Sequence, residues 1–155
     1  MFTALINDCR DDNARGRQAL RVTQLFDCTP ICVGVKNDRE AAGNLVDLLD
    51  AAQGEPGVIL VNVAPRHGEV KKWVNGTPFG AFWYQKTLVV SSVDGVTLSL
   101  ARERSLISSF SLFDLPTVMA WAEKQHLLPS LQTEAVVHTQ FRSYEFLPRV
   151  AVWLW

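Results

Sequence analysis

The stretch GVILVNV, residues 57 to 63, constrains the fold more than any other part of the chain. It holds no charge and a single amide side chain, and it does not alternate between apolar and polar residues. A strand that alternates has one wet face, whereas a continuous apolar run must be covered on both. Such a strand belongs inside a parallel sheet with helices on either side.

The flanking segments fit that placement. Phe2 to Ile6 is a short apolar run closed by Asn7 and Asp8, and it reads as a first strand. Asn13 to Phe26 has helical spacing, with Ala19, Leu20, Val22, Leu25 and Phe26 as its apolar stripe and Asp11, Asp12 and Asn13 as cap candidates. Pro30 to Val35 reads as a second strand. Asp38 to Ala52 reads as a helix that Asp38 can cap, with Ala41, Ala42, Leu45, Val46, Leu48 and Leu49 on its buried face. Gly54, Pro56 and Gly57 end it.

After a loop around Asn75 to Pro78, two more strands are expected at Phe79 to Tyr84 and Thr87 to Ser92, and Asp94-Gly95 is a turn signal. A helix over Val96 to Arg104, a strand over Ser109 to Leu115 and a helix over Thr117 to His126 follow, the last with Val118, Trp121 and Ala122 on one face. The tail FLPRVAVWLW reads as a helix or a strand that must be buried. The β-α-β-α-β order predicts one domain of three-layer α/β/α, Rossmann-like architecture with a mostly parallel sheet.

Bulk properties exclude several roles. The 155 residues suit one domain, and a formal net charge of -1 gives no overall electrostatic footprint for nucleic acid. No run of about 18 apolar residues predicts a membrane span. The start MFTALINDCRDD lacks the basic and apolar segments of a signal peptide. The three cysteines, Cys9, Cys28 and Cys32, are odd in number and few, which fits a reducing, cytoplasmic setting with thiols as small apolar residues, and the Cys28-x-x-x-Cys32 spacing is a weak metal signal that no second pair completes.

Open α/β sheets bind ligands beyond the carboxyl ends of their strands. The first strand brings Asn7, Asp8, Cys9 and Arg10 to that rim. The third brings Ala64, Pro65, Arg66, His67 and Gly68, and the fifth brings Ser91, Ser92 and Asp94. Asp8 is placed to accept from a ribose diol or else to cap the next turn, and with Asp11 and Asp12 it is a weaker candidate for Mg²⁺. Asn7 and Asn13 are candidate ligand contacts beside it. His67 is a candidate general base or an exposed loop residue. Lys71, with Lys72, is a catalytic candidate or a solvated face. Arg142 lies among Phe141, Tyr144 and Phe146 and needs a partner, either Glu145 or a ligand. Ser143 is a candidate hydroxyl contact. No phosphate-binding glycine loop, nucleophile elbow or zinc helix motif is present.

The order of these segments resembles the S-adenosylmethionine-dependent halogenase and hydroxide adenosyltransferase family. That family opens with a strand ending in T-D-F-G, where this chain has Asn7-Asp8-Cys9-Arg10. Its D-V-R-E-A-A segment matches Asn37-Asp38-Arg39-Glu40-Ala41-Ala42, and its D-P-G-V-G-x-x-R-R loop matches Ala64 to Lys72. Its P-D-N-G matches Ser92-Val93-Asp94-Gly95, and its S-T-F-H-G-R-D matches Thr139 to Glu145. The resemblance covers the family's N-terminal domain, and the smaller C-terminal domain has no counterpart here. It implies a nucleoside ligand, with S-adenosylmethionine as ligand or substrate, Asp8 on the ribose, Ser143 near the nucleophile, and a homo-oligomer, a trimer in the family. The family's water-activating Asp, Arg and His fall at Ala64, Lys71 and Arg142, so the resemblance does not carry its reaction over. His67, Lys71 and Arg142 are the catalytic candidates that remain. A nucleotide- or S-adenosylmethionine-binding sensor or assembly module without turnover is the alternative expectation.

Overall fold

The computed structural model describes residues 1–9, 11–64, 67, 77–138 and 145–155. Arg66, Lys71, Lys72, Arg142 and Ser143, all named above, lie outside the described residues. The elements run β1 (Phe2–Asn7), α1 (Asp12–Phe26), β2 (Ile31–Gly34), α2 (Asp38–Ala52), β3 (Gly57–Asn62), β4 (Phe79–Tyr84), β5 (Thr87–Ser92), α3 (Ser99–Glu103), β6 (Ser111–Phe113), α4 (Leu115–Lys124), α5 (Ser130–Val137) and α6 (Leu147–Leu154).

The strands form one six-stranded sheet in the order β2-β1-β3-β5-β4-β6. β1, β2, β3 and β5 are parallel, and β4 is antiparallel to both β5 and β6. The architecture is therefore α/β with a mostly parallel sheet, as its segment order predicts. β3 pairs in register with β1 and β5 on its two sides, so GVILVN occupies the middle of the sheet. That register sets Asn7 opposite both Gly34 and Asn62, so the carboxyl ends of β1, β2 and β3 form one rim.

The pleat sorts side chains into two cores. Leu5, Leu60, Leu88 and Val90 point to one face with Phe79 and Ala81. There they meet Val22 and Phe26 of α1, Met119 of α4, Val136 of α5, and Leu147, Val150 and Ala151 of α6. Ala4, Ile6, Ile59, Val61 and Val89 point to the other face, packed with Ala41, Leu45 and Leu49 of α2 and Ala101 of α3. Successive strand residues alternate between the two, as the period of 2 requires. The absence of alternation in residues 57 to 61 thus reflects helices on both sides.

Several local expectations are corrected. In α1, Leu20 is 60% exposed whereas Gln18 is buried, because Gln18 Oε1 accepts from the Asn7 amide at 2.7 Å. A polar side chain with such a partner can take a core position that spacing alone assigns to an apolar one. The expected helix over Val96 to Arg104 begins only at Ser99 after a turn. Gly95 sits in that turn at φ 74, a conformation few other residues adopt without strain. The expected strand over Ser109 to Leu115 shortens to Ser111–Phe113, since Asp114 caps α4 by accepting from Thr117 N. α4 buries Leu115, Met119 and Ala122, while Trp121 stays 46% exposed beside Trp153. α5 has no counterpart in the sequence reading.

The apolar tail is a helix, α6, and it closes the first core. Phe146 meets Phe79 edge-on at 5.5 Å and Phe113 at 6.4 Å, and Trp155 stacks on Trp83 at 5.5 Å. Among the described residues no helix is long and apolar enough to cross a membrane.

Candidate functional site

The rim at the carboxyl ends of β1, β3 and β5 gathers most of the described polar candidates, and the protein itself engages each of them. Asn7 is 2% exposed. Its Nδ2 donates to Gln18 Oε1, and its Oδ1 accepts from Cys9 N at 3.1 Å. Asn7 therefore shapes the turn after β1. Asn13 is exposed in the first turn of α1, where its N–H donates to Asp11 Oδ1 at 2.9 Å. Asp11 is thus the cap of that helix, and Asp12 pairs with Arg15 at 3.5 Å on the surface. With those two carboxylates drawn to α1, the Asp8, Asp11, Asp12 arrangement for Mg²⁺ does not form. Among the described residues no group of three His, Cys, Asp or Glu could hold a metal ion.

Asp8 is half-buried, and its Oδ2 accepts from Ala64 N at 3.3 Å. That contact ties the end of β1 to the end of β3. Ser92 is 6% exposed, and its hydroxyl donates to Val63 O at 3.4 Å. Asp94, 5% exposed, accepts from Thr77 Oγ1 at 2.9 Å. Ser92 ties the end of β5 to the end of β3, Asp94 ties it to the segment before β4, and both are mostly shielded.

His67 is not a free loop histidine. Its Nδ1 lies 2.6 Å from Asp38 Oδ1, and its N–H donates to Asp38 Oδ2 at 3.1 Å. Asp38 Oδ2 also accepts from Val96 N at 3.1 Å. Asp38 is fully buried at the first residue of α2. The cap of that helix is instead Asn37, whose Oδ1 accepts from Arg39 N and Glu40 N at 3.0 Å each. The expectation that Asp38 caps α2 is corrected accordingly. In sequence, neighbouring Asn and Asp offer the same capping chemistry, and only the loops that meet Asp38 separate them. The signal that was present is the pair itself, since two cap-forming residues at one helix start leave one carboxylate without work there.

The Cys9 thiol is half-buried on the same rim. Burial raises its pKa first, and the Asp8 and Asp11 carboxylates raise it further against a smaller opposing effect of Arg15. A raised thiol pKa keeps the neutral form, which is a poor nucleophile. Cys32, by contrast, is exposed on the edge strand β2. Limited alkylation near neutral pH, followed by peptide mass mapping, is therefore expected to modify Cys32 well before Cys9. Faster modification of Cys9 would show that its thiolate is the stabilised form.

Glu145, expected as a partner of Arg142, meets Arg21 Nη2 of α1 at 2.9 Å and Arg149 Nη2 of α6 at 3.8 Å. Burial, and secondarily Arg21, push the Arg149 guanidinium below its ordinary pKa, with Glu145 opposing. This group braces α1 against α6. An apolar cleft of about 410 Å³ lies at the opposite end of the sheet, lined by Met1, Phe2, Ile31, Leu48 and Pro56 among others. Among the described residues that line it, Glu55 has the one ionisable side chain.

No protein-family profile matches the chain, and no curated protein matches it. A crystal structure of an uncharacterized conserved protein from Thermotoga maritima is similar in fold, with a TM-score of 0.59 and 18% identity. The match covers 99% of this chain and 54% of that one, so the chain spans about half the length of the protein it resembles. At this identity the likeness shows the α/β fold alone.

Proposed function

We propose that the protein binds a nucleoside-type ligand, S-adenosylmethionine by the sequence resemblance, at the carboxyl ends of β1 and β3. One observation carries this reading: the half-buried Asp8 carboxylate and the Asp38-held His67 imidazole stand on one rim. Asp8 contacts the backbone of Ala64, and His67 follows three residues later, so the two α-carbons of that short segment are within about 11 Å. In this reading Asp8 accepts from the ribose hydroxyls, and His67 Nε2 takes the proton of a water that attacks the ribose C5′. The water O–C5′ bond forms as the C5′–S bond breaks. The electron pair goes to sulfur, leaving neutral methionine, adenosine and one proton. The sulfonium is already a good leaving group, so positioning and desolvating the water supply most of the acceleration.

A second reading, binding without turnover, is favoured by Ala64. It stands where the resembling family has its water-activating Asp, its methyl side chain supplies no proton acceptor in that place, and its backbone N–H donates to Asp8. A thermal-shift screen against S-adenosylmethionine, adenosine, methionine, ATP and AMP tests both readings, with chromatography for adenosine and methionine on any ligand that stabilises the protein. The expected result is stabilisation by the adenosyl compounds. Asp8→Ala should weaken it by about 10- to 100-fold in affinity, the loss for hydrogen bonds to a charged acceptor. Stabilisation without product supports the second reading. If no adenosyl compound shifts the transition, both are wrong.

A further inference from the structure

We propose that Asp38 is a positioning residue that fixes His67 in one tautomer and so makes its Nε2 the proton acceptor of the rim. The chemical role of that nitrogen rests on the reading above, whereas the tautomer does not. Asp38 is 0% exposed although it begins a helix, where a carboxylate usually meets water or caps. Asn37 has taken the capping role, so the helix does not need the Asp38 side chain. Its bonds to His67 and Val96 instead run to other segments. Oδ2 receives two backbone N–H groups, from His67 and Val96. Oδ1 faces His67 Nδ1 at 2.6 Å, the short distance of a charge-assisted bond.

A carboxylate that already receives two N–H donors is an acceptor, so the proton on the Asp38–His67 contact belongs to Nδ1. In the neutral ring the lone pair then lies on Nε2. One carboxylate holds both the main chain and the ring of His67, so the ring is fixed in place and in tautomer together. The third bond, to Val96, joins this clamp to the turn after β5 that carries Asp94. A latch that served stability alone would be met by any carboxylate–backbone contact. The additional ring contact is what a base requires, because a neutral imidazole free to exchange tautomers presents its lone pair only part of the time.

Long-range ¹H–¹⁵N correlation spectra of the full-length, ¹⁵N-labelled protein test this without ligand. His67 is assigned by the signal that His67→Gln removes, since the chain has three histidines. With the ring neutral, wild-type His67 is expected to show a protonated Nδ1 and an unprotonated Nε2. In Asp38→Asn the amide oxygen keeps the backbone donors while the amide N–H turns to Nδ1, so the proton should move to Nε2. A wild-type spectrum with Nε2 protonated or with averaged tautomers overturns the proposal, and so does an Asp38→Asn spectrum that is folded but unchanged. The wild-type spectrum decides the matter even where Asp38→Asn folds poorly. Where S-adenosylmethionine is turned over, Asp38→Asn should lower kcat by at least about 100-fold with KM within a few-fold. Unchanged kcat overturns the proposal. The expected spectra without turnover leave the positioning role intact and count against the hydrolytic reading alone.

Discussion

Phe146→Ala is expected to destabilise the protein by about 4 kcal/mol, the usual loss for truncating a buried aromatic ring. Phe146 is 0% exposed and meets Phe79 and Phe113 edge-on, so its ring joins the tail to β4 and β6. Its neighbours are fixed by the sheet on one side and by Leu147, Val150 and Ala151 on the other, which limits collapse into the space left behind. For a chain of this size the midpoint of thermal unfolding should fall by about 10 °C. Urea unfolding monitored by circular dichroism measures the loss directly. A change below about 1 kcal/mol would mean that α6 does not close this core.

The second large effect falls at the start of α2, where two adjacent residues exchange their expected roles. Asp38→Ala should cost about 3 kcal/mol, because two backbone N–H donors and an imidazole lose a charged acceptor. The partial exposure of His67 lets water recover some of this, which keeps the figure below that of a fully buried ion pair. Asn37→Ala should cost about 1 kcal/mol, the ordinary loss of a helix cap. The two magnitudes together are decisive. If Asp38 were the cap, its removal would cost only about 1 kcal/mol and Asn37→Ala would be nearly neutral. Denaturant unfolding of both variants, compared at equal m-value, distinguishes the two assignments.

The same pair shows where sequence reasoning stops. Asn37 and Asp38 have equivalent capping chemistry, and which one faces the helix depends on backbone geometry at a single residue. The buried carboxylate is then chosen by loops at residues 67 and 96, far away in the chain. Gln18 is a parallel case. Its polarity argues for the surface of α1, and it is buried because Asn7, 11 positions earlier, supplies the partner that makes burial affordable. Leu20 is exposed for the complementary reason, since α1 turns that side away from the sheet.

His67, Asp8, Ser92 and Asp94 were all visible as rim residues, because each follows a strand and the strands are legible. Their partners were not visible. The braces Ser92–Val63 and Asp94–Thr77 join segments that the sequence separates by 29 and 17 residues. Helix α5 escaped notice because its apolar residues do not form a single stripe, and Leu131 remains 82% exposed.

By itself the sequence determined the two-sided burial of residues 57 to 61, the alternation of strands and helices through β3, and the rim on which the polar residues fall. These follow from local periodicity, and local periodicity is written in adjacent residues. Only the tertiary structure decided which carboxylate holds His67, which asparagine shapes a turn, and how the apolar tail closes the core. Hydrogen-bond partners and packing neighbours are set by the register between distant strands and loops, and that register has no signature within any one segment.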